Sequence, residues 1–320
     1  MQKKDLVGVI LAAGKGTRMF PFSERFPKPV LPIGGKPLLA YQLETLVGLG
    51  IRKVILVIGH LGYEIVRTMG DGSAWGVEIT YVEQEETLGI AHAVGQLEKV
   101  VDRPFFLILG DIFFETDRLE EMVRLFREEE ADCVLAVKEE RDPAAIRRNF
   151  VVLEDESGRV RRVVEKPRHP RTNLKGCGLY LFDLSFFDAV RRTPRTALRD
   201  EYEITDSIQI FVDDGYKVMA ARVVKEDLNL SFPADLLELN LHYLKREGLE
   251  NVIGKDVKLP PGAVVEKSVI MDGAVVENPI KISHSLIFPG KVVKRSSDVR
   301  GEILTPETEV DCSHVLARRR

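Results

Sequence analysis

The chain has 320 residues, of which 44% are hydrophobic and 30% charged, so it can bury a large core in one domain with an appendage or in two domains. The formal net charge of -4 predicts neither a nucleic acid nor an anionic membrane surface as a partner. The N-terminal residues lead straight into an apolar strand without a secretory or membrane-spanning pattern, which predicts a cytoplasmic protein, and the three scattered cysteines predict neither a zinc cluster nor a disulfide framework.

The first half of the chain alternates apolar runs with segments of helical periodicity. Runs that are apolar on both faces are typical of central strands covered by helices, so the alternation predicts an α/β fold with a doubly wound, mostly parallel sheet. Ligands of such a sheet bind beyond the carboxyl ends of its strands. The predicted strands are LVGVIL from Leu6, KVILVI from Lys53, VEITYV from Val77, FFLIL from Phe105 and DCVLAV from Asp132. The predicted helices are PLLAYQLETLVGLG from Pro37, AHAVGQLEKVV from Ala91 and RLEEMVRLFREEE from Arg118.

The segment after residue 150 predicts a hairpin, a strand and then helices. The hairpin covers residues 150–164 with Gly158 in its turn, and the strand KGCGLYLFD follows it. Helices are predicted over 185–192, 205–214 and 233–247, with a strand over 217–224. Because glycine often follows the end of a helix, Gly248 marks a predicted boundary between a first domain, residues 1–248, and a second, residues 249–320.

An aliphatic residue recurs every six positions after Asn251. One phase of this repeat contains Ile253, Leu259, Val265 and Met271. Short coils of this kind are typical of a hexapeptide β-helix, in which each rung needs a neighbour to bury its face. We therefore predict a short C-terminal left-handed β-helix, with irregular β hairpins as the alternative.

A glycine-containing turn and two basic residues follow the first predicted strand. The segment Leu11-Ala12-Ala13-Gly14-Lys15-Gly16-Thr17-Arg18 is followed by Pro27-Lys28-Pro29. Backbone N–H groups at such a turn can face a polyphosphate, while Arg18 adds a bidentate donor and Lys28 a compact positive charge. The spacing fits neither a Walker loop nor the Rossmann glycine pattern. The pattern favours an anion-binding cradle, with a simple tight turn as the alternative.

These motifs, with others further along, resemble the sugar nucleotidyltransferase (nucleotide-sugar pyrophosphorylase) family. The later motifs are LGD at Leu109, EKP at Glu165, GLYLFD at Gly178 and EITD at Glu203. The chain looks most similar to long-form glucose-1-phosphate thymidylyltransferases, which carry a C-terminal β-helix. The resemblance implies a Rossmann-like nucleotidyltransferase fold for the catalytic domain. It also implies an enzyme that joins a hexose 1-phosphate, first of all glucose 1-phosphate, to dTTP or UTP and releases pyrophosphate.

The resemblance assigns three catalytic cations. Arg18 and Lys28 would stabilise the α-phosphate and the leaving pyrophosphate, and Lys166 would orient the attacking sugar phosphate. A phosphate dianion that approaches a triphosphate meets electrostatic repulsion, which positive side chains offset before in-line attack. The reaction therefore needs positioned charge rather than an enzyme nucleophile.

The resemblance also implies a magnesium site. Asp111 follows an apolar strand and Gly110, so its carboxylate is expected at the strand's carboxyl end, and Mg²⁺ prefers such oxygen ligands. The second metal ligand aligns with Asn229, where the thymidylyltransferases have aspartate. Asp227 is close enough in sequence to be a rival ligand.

The predicted nucleotide site combines the first turn with a later stretch. The amide of Gln84 offers the donor and acceptor that suit uracil or thymine, and Gly89 permits a close approach of backbone to base. The two bases differ by one methyl group, so the choice between them stays open. The predicted nucleotide-binding residues are Leu11, Ala12, Ala13, Gly14, Gly16, Thr17, Gln84 and Gly89.

The predicted sugar-phosphate site lies on the second half of the first domain. Glu165 and Glu201 resemble the family's acceptors for sugar hydroxyls, with solvated surface glutamates as the alternative. Phe150 stands where the thymidylyltransferases have glycine, which predicts a reshaped pocket and weakens the assignment to glucose. The predicted residues are Glu165, Lys166, Gly178 and Glu201.

The sequence leaves other functions open. One alternative is a catalytically silent regulatory or assembly subunit, against which the retained charged residues argue. Another is a UTP:N-acetylglucosamine-1-phosphate uridylyltransferase, and a third is a bifunctional enzyme whose β-helix transfers acetyl groups. The rungs are expected to pack on the catalytic domain or on a second subunit, and the second case gives a homo-oligomer.

Overall fold

The computed structural model describes residues 5–197 and 200–317, and the chain forms two compact units. The first, called the sheet unit, contains the described residues up to Lys15 and those from Tyr41 to Asp227. The second, called the β-helix unit, contains Gly16–Ala40 and the described residues from Leu228 onward. These limits differ from the predicted division at residue 248, which stays a prediction.

Strands and helices alternate through the first part of the chain. The strands are β1 (Val7–Leu11), β2 (Pro32–Ile33), β3 (Lys36–Pro37), β4 (Lys53–Ile58), β5 (Glu78–Glu83), β6 (Phe105–Leu109), β7 (Ile112–Thr116), β8 (Cys133–Glu139), β9 (Phe150–Glu154), β10 (Val160–Glu165), β11 (Leu174–Phe182), β12 (Val218–Arg222) and β13 (Val224–Asn229). The helices are α1 (Leu38–Gly48), α2 (Gly62–Met69), α3 (Ile90–Gly95), α4 (Glu120–Arg127), α5 (Pro143–Arg148), α6 (Phe186–Arg192), α7 (Ile204–Asp213), α8 (Pro233–Arg246) and α9 (His314–Ala317).

The sheet unit is built on a mixed β-sheet. Its main path runs β10-β9-β11-β6-β1-β4-β5, and β8 pairs with both β11 and β12. The segment β6-β1-β4-β5 is parallel, whereas β11 runs antiparallel to β6, β8 and β9. The predicted α/β fold is confirmed, and its antiparallel part comes from the strand KGCGLYLFD and from the predicted hairpin, which forms as β9 and β10.

The apolar runs form the core of the sheet unit. In β6, Phe105, Phe106, Leu107 and Ile108 have no exposed surface, as expected for a strand covered on both faces. The helices α2 and α5 were not predicted from the sequence. The start of α5 carried a readable signal, because the Asp142 side chain accepts hydrogen bonds from the N–H groups of Ala144 and Ala145, and Pro143 occupies the first helical position.

The strands from β14 (Val252–Ile253) to β22 (Glu302–Leu304) stack as parallel rungs, which confirms the predicted β-helix, while its left-handed winding stays a prediction. Each rung pairs with residues seventeen positions further on, so one side of each coil is a residue shorter than a strict repeat of six requires. The rungs enclose buried aliphatic side chains, among them Ile270, Ile282 and Ile287. Among the described residues, no helix is both long and apolar enough to cross a membrane. The strands are β14 (Val252–Ile253), β15 (Val264–Glu266), β16 (Val269–Ile270), β17 (Val275–Val276), β18 (Lys281–Ser283), β19 (Leu286–Ile287), β20 (Val292–Val293), β21 (Val299–Arg300), β22 (Glu302–Leu304) and β23 (Glu309–Asp311).

Candidate active site

The carboxyl ends of the parallel strands meet at one edge of the sheet unit. The N–H of Ala12 donates to the carbonyl of Val57 at 2.8 Å, so the turn after β1 lies beside the end of β4. The N–H of Gly110 donates to the carbonyl of Leu11 at 2.9 Å, which joins the end of β6 to the same turn. Ligands of open α/β sheets bind at such an edge.

Gly110 lets the ends of β1 and β6 approach closely enough to place Asp111. A Cβ atom on Gly110 would lie 2.5 Å from the carbonyl oxygen of Leu11, closer than a side chain tolerates. Gly59 has a similar place after β4, because its Cβ would lie 2.8 Å from the carbonyl oxygen of Ala13. The half-buried Asp111 is therefore carried on a turn with little freedom to shift.

A buried amide that the sequence analysis missed supports the Asp111 turn. The Nε2 of Gln42, on α1, donates to the carbonyls of Leu109 at 3.0 Å and Ile112 at 2.9 Å, on either side of Asp111. Gln42 is 3% exposed. The sequence does carry a signal for this role, because Gln42 is a polar residue on the apolar side of a predicted helix.

Gly178 lies against the same turn from the other side. It has a left-handed backbone, with φ of 67°, where the pairing of β11 with β8 shifts register. A Cβ atom there would lie 2.9 Å from Cδ1 of Ile112 and 3.0 Å from Cδ1 of Leu109. Glycine is thus required both by the backbone conformation and by the space beside Asp111.

The stretch predicted to recognise the base follows β5. The N–H of Gln84 donates to the carbonyl of Ile58 at 2.7 Å, so Gln84 stands at the carboxyl end of the parallel strands. Its side chain is buried, donates to the carbonyl of Glu86 at 2.9 Å and lies 3.5 Å from Nδ1 of His92. These contacts fix the orientation of the amide before any ligand binds.

Gly89 joins this stretch to the segment that carries Glu201. Its φ is 111°, and a Cβ atom there would overlap the backbone of Tyr202. The N–H of Tyr202 donates to the carbonyl of Leu88 at 2.8 Å, and the N–H of Ala91 donates to that of Tyr202 at 3.0 Å. The close approach at Gly89 is therefore to Tyr202, which puts Glu201 next to the predicted base-binding stretch.

Glu165 and Lys166 stand at the end of β10. Lys166 has a φ of 42°, a conformation uncommon for residues other than glycine, and its N–H donates to the carbonyl of Asn149 at 3.0 Å. The Nζ of Lys166 lies 3.3 Å from Oε1 of Glu165, whose Oε2 accepts a hydrogen bond from Thr205 at 3.3 Å. Backbone strain of this kind is concentrated at functional sites.

Phe150 is accommodated by a glycine in the neighbouring strand. Its ring is 7% exposed, belongs to the hydrophobic core and stacks on Tyr180 with centroids 6.3 Å apart. A Cβ atom on Gly176 would overlap this ring. The side chain of Phe150 therefore fills space that glycine at position 176 leaves in the core.

The β-helix unit carries Gly16, Thr17, Arg18 and Lys28. Gly16 has a φ of 62°, and the Lys28 stem crosses it, since a Cβ atom on Gly16 would lie 3.2 Å from Cγ and Cε of Lys28. Lys28 is 8% exposed, whereas Arg18 is exposed and its guanidinium lies 5.5 Å from the ring centroid of Phe232. Gly16 thus allows Lys28 to pack close to the turn.

The two candidates for the second metal ligand lie in different surroundings. The carboxylate of Asp227 is buried and ion-paired, 2.8 Å from Nζ of Lys175 and 3.0 Å from Nζ of Lys138. Asn229, the last residue of β13, is exposed. The Asp227 carboxylate is thus engaged by two ammonium groups, whereas Asn229 lies at the surface.

Burial controls the titration of the groups around Glu165. Asp206, in the first turn of α7, has a pKa raised by burial and, second, by the nearby negative charge of Glu165. Burial also raises the pKa of Tyr180, on which the Phe150 ring stacks. This part of the sheet unit therefore disfavours additional negative charge.

Known proteins are similar to this chain in sequence and in fold. A family model described as nucleotidyl transferase matches residues 7–231. The chain is 32% identical over 305 residues to a glucose-1-phosphate thymidylyltransferase of Streptomyces antibioticus, covering 94% of this chain and 82% of the relative. It is 37% identical over 227 residues to the UTP--glucose-1-phosphate uridylyltransferase AglF of Haloferax volcanii, covering 71% and 92%. The chain belongs to the sugar-1-phosphate nucleotidyltransferase family.

A solved structure agrees with this membership at the level of the fold. A UDP-glucose pyrophosphorylase complexed with UDP-glucose superposes with a TM-score of 0.67 at 22% identity, over 76% of this chain and all of that one. The predicted family, fold class and enzyme class are confirmed. Within the sheet unit of this family member, the end of β1, Gln84, Asp111 and Gly178 gather at the carboxyl edge of the parallel strands.

Proposed function

We propose that this nucleotidyltransferase transfers the nucleotidyl group of dTTP or UTP to a hexose 1-phosphate, with glucose 1-phosphate as the first candidate. The observation that carries the proposal is the gathering of the β1 turn, Gln84 and the Asp111 turn at one sheet edge. The names of the two relatives support glucose 1-phosphate and support both bases equally.

The proposed reaction is a direct in-line displacement. A sugar-phosphate oxygen forms a bond to the α-phosphorus while the bond from that phosphorus to the pyrophosphate oxygen breaks. Such chemistry needs positioning and charge stabilisation rather than an enzyme nucleophile. Arg18 and Lys28 stabilise the α-phosphate and the leaving pyrophosphate, and Lys166 holds the attacking phosphate.

The donor set fits a magnesium ion. We assign Asp111 and Asn229 as its protein ligands, because Mg²⁺ takes oxygen donors, keeps several waters and needs only one or two protein groups besides phosphate oxygens. Among the residues that the structure describes, no group of three or more His, Cys, Asp or Glu side chains could hold a metal ion. When bound, the ion would neutralise charge on the triphosphate.

The structure around Phe150 supports glucose 1-phosphate as the first candidate. The ring lies in the core against Tyr180 and Gly176, so the substitution of the family's glycine is absorbed by the core. Glu165 and Glu201 would accept hydrogen bonds from sugar hydroxyls, and Gly178 would let the sugar approach the sheet. We also propose that the protein is cytoplasmic and that it forms a homo-oligomer.

A substrate matrix tests the reaction. Purified protein is assayed for pyrophosphate release with dTTP, UTP, ATP and GTP, each against glucose 1-phosphate, N-acetylglucosamine 1-phosphate and galactose 1-phosphate with Mg²⁺. We expect release with dTTP or UTP and glucose 1-phosphate. A preference for N-acetylglucosamine 1-phosphate would instead identify the uridylyltransferase alternative, and no release in any combination would contradict the proposed reaction.

Single substitutions test the residue roles. Lys28→Ala and Asp111→Ala should each lower kcat by a factor of several hundred, which corresponds to about 3–4 kcal/mol of transition-state stabilisation. Lys255→Ala and Asp102→Ala are matched controls, because both side chains are exposed and neither is placed at the site. Rates for Lys28→Ala and Asp111→Ala within a few-fold of these controls would remove the proposed roles.

A further inference from the structure

The basic loop, defined as residues 16–31, is anchored inside the β-helix unit. It contains Arg18 and Lys28 and consists of short 3-10 turns, whose backbone hydrogen bonds join residues within the loop. Met19 has no exposed surface and Phe22 is 2% exposed. The loop is therefore held by side chains that it buries against the rest of that unit.

Phe288 of the β-helix is the centre of this anchorage. Its ring is 3% exposed and stacks on Phe22, with centroids 6.1 Å apart and planes 9° apart. It also meets Phe26 at 5.5 Å in a tilted arrangement. Arg25 of the loop forms an ion pair with Glu307, so a second contact joins the loop to the rungs.

The β-helix presents Phe288 from a rigid position. The preceding Ile287 is fully buried among the side chains inside the rungs. The N–H of Phe288 donates to the carbonyl of Leu304 in the next rung at 2.8 Å. The position of the Phe288 ring is therefore fixed by the stacking of rungs rather than by the loop.

The end of the basic loop is fixed by α8. The N–H of Gly34 donates to Oδ1 of Asn240 at 2.9 Å, and Nδ2 of Asn240 donates to the carbonyl of Pro32 at 2.9 Å. These bonds hold the hairpin that follows the loop. Between this point and Gly16, the aromatic contacts with Phe288 and the ion pair of Arg25 with Glu307 join the loop to the β-helix.

We propose that Phe288 is a positioning residue for nucleotidyl transfer, and that the β-helix is the scaffold that holds Arg18 and Lys28 in their reactive places. The inference rests on the proposed roles of those two cations. A displacement of about 1 Å in a group that positions substrate can lower a rate about a hundredfold. Loss of the Phe288 ring removes the surface on which Phe22 and Phe26 rest.

The test compares variants of the full chain. Phe288→Ala should lower kcat/KM for the nucleotide roughly 10- to 100-fold, while Phe288→Tyr, which keeps the ring, should stay within about threefold. Ile282→Ala is the matched control, because it removes a fully buried side chain from the same β-helix without touching the basic loop. Its kcat/KM should remain near that of the unmodified protein.

Hydrogen exchange separates a local effect on the basic loop from a general loss of stability, which would speed exchange in other segments as well. In Phe288→Ala, amides of residues 16–31 should exchange faster, while exchange in β6 and in the rungs stays unchanged. In Ile282→Ala, amides of the rungs should exchange faster, while exchange in residues 16–31 stays unchanged. If Phe288→Ala does not fold, Phe288→Leu is compared instead, with a smaller loss expected. Equal kinetics and equal loop exchange in the Phe288 and Ile282 variants would overturn the positioning role.

The Lys28→Ala assay separates this inference from the proposed function. If Lys28→Ala keeps its rate, the role of Lys28 fails and the inference falls with it. If Lys28→Ala is impaired while Phe288→Ala behaves like Ile282→Ala, the proposed function stands and the positioning role alone is wrong.

Discussion

The two units hold their candidate active-site residues by different physical means. In the sheet unit, Asp111 and Gln84 lie just after the ends of strands that neighbouring strands fix through backbone hydrogen bonds. In the β-helix unit, Arg18 and Lys28 stand on a loop that is fixed through side chains, chiefly Phe288. One group is positioned by strand geometry and the other by packing.

This difference predicts unequal responses to mutation. Backbone hydrogen bonds between strands survive most side-chain substitutions, so the sheet residues should move only when a close contact such as that at Gly110 is disturbed. Packing contacts are lost with the side chain that makes them. Local opening should therefore concentrate in the basic loop, whereas changes in the sheet unit should act on global stability.

A buried ion pair tests how far the sheet unit depends on individual side chains. Lys175→Met removes the closer of the two lysines beside the buried Asp227 carboxylate and leaves Lys138 next to it. Breaking such a pair should lower the free energy of unfolding by about 3 kcal/mol, because the remaining charge stays buried. Urea denaturation monitored by circular dichroism measures the change.

A surface pair provides the control for this experiment. Lys225 lies 3.3 Å from Asp117 with both side chains exposed, so Lys225→Met should change the free energy of unfolding by less than about 1 kcal/mol. The double substitution Lys175→Met with Asp227→Leu should recover part of the loss. Equal effects of Lys175→Met and Lys225→Met would show that the buried pair does not stabilise the sheet unit.

The sheet-borne part of the site was predictable because its determinants are local. An apolar run followed by Gly110 and Asp111 specifies both the strand and the place where it ends, and parallel strands bring such ends together. The burial of Lys175 was not predictable, since lysine is rarely buried unless paired and Asp227 is distant in the sequence. The strand that contains Lys175 was predicted, whereas its buried ion pair with Asp227 was not.

The anchorage of the basic loop was beyond the sequence analysis for the same reason. The six-residue repeat predicted the β-helix, yet it did not distinguish Phe288, which points at the loop, from residues that fill the rungs. Contacts between aromatic rings far apart in the chain depend on the final packing. The motif that contains Arg18 and Lys28 could therefore be predicted from the sequence, but the distant residue that holds it could not.

Two buried amides, one in each unit, hold backbone carbonyls near the candidate site residues. Gln42 binds the carbonyls on both sides of Asp111, and Asn240 binds the hairpin after the basic loop. Gln42→Ala and Asn240→Ala should each cost about 1–3 kcal/mol, because buried backbone groups lose their partners. Hydrogen exchange should rise more over residues 31–37 in Asn240→Ala than over residues 107–114 in Gln42→Ala, since β2 and β3 form a separate two-stranded sheet whereas β6 lies between β1 and β11 in the main sheet. Equal increases would contradict the distinction between the units.

The smallest expected effect concerns the titration of Asp206. Its raised folded-state pKa means that its contribution to stability is fully present below the unfolded-state pKa and is lost as pH rises through the folded-state pKa. Asp206→Asn, which stays neutral, should therefore raise Tm at pH 7 by no more than about 2 °C. The difference should shrink as pH falls towards the ordinary aspartate range.

A second substitution identifies the cause of the Asp206 shift. Burial is the larger cause and the charge of Glu165 the smaller, so Glu165→Gln should lower the pKa of Asp206 only in part. In the Glu165→Gln background, the Tm gain from Asp206→Asn at pH 7 should become smaller but should not vanish. A gain that is unchanged would assign the whole shift to burial, and a loss of Tm at pH 7 in Asp206→Asn would show that the ionised carboxylate stabilises this part of the sheet unit.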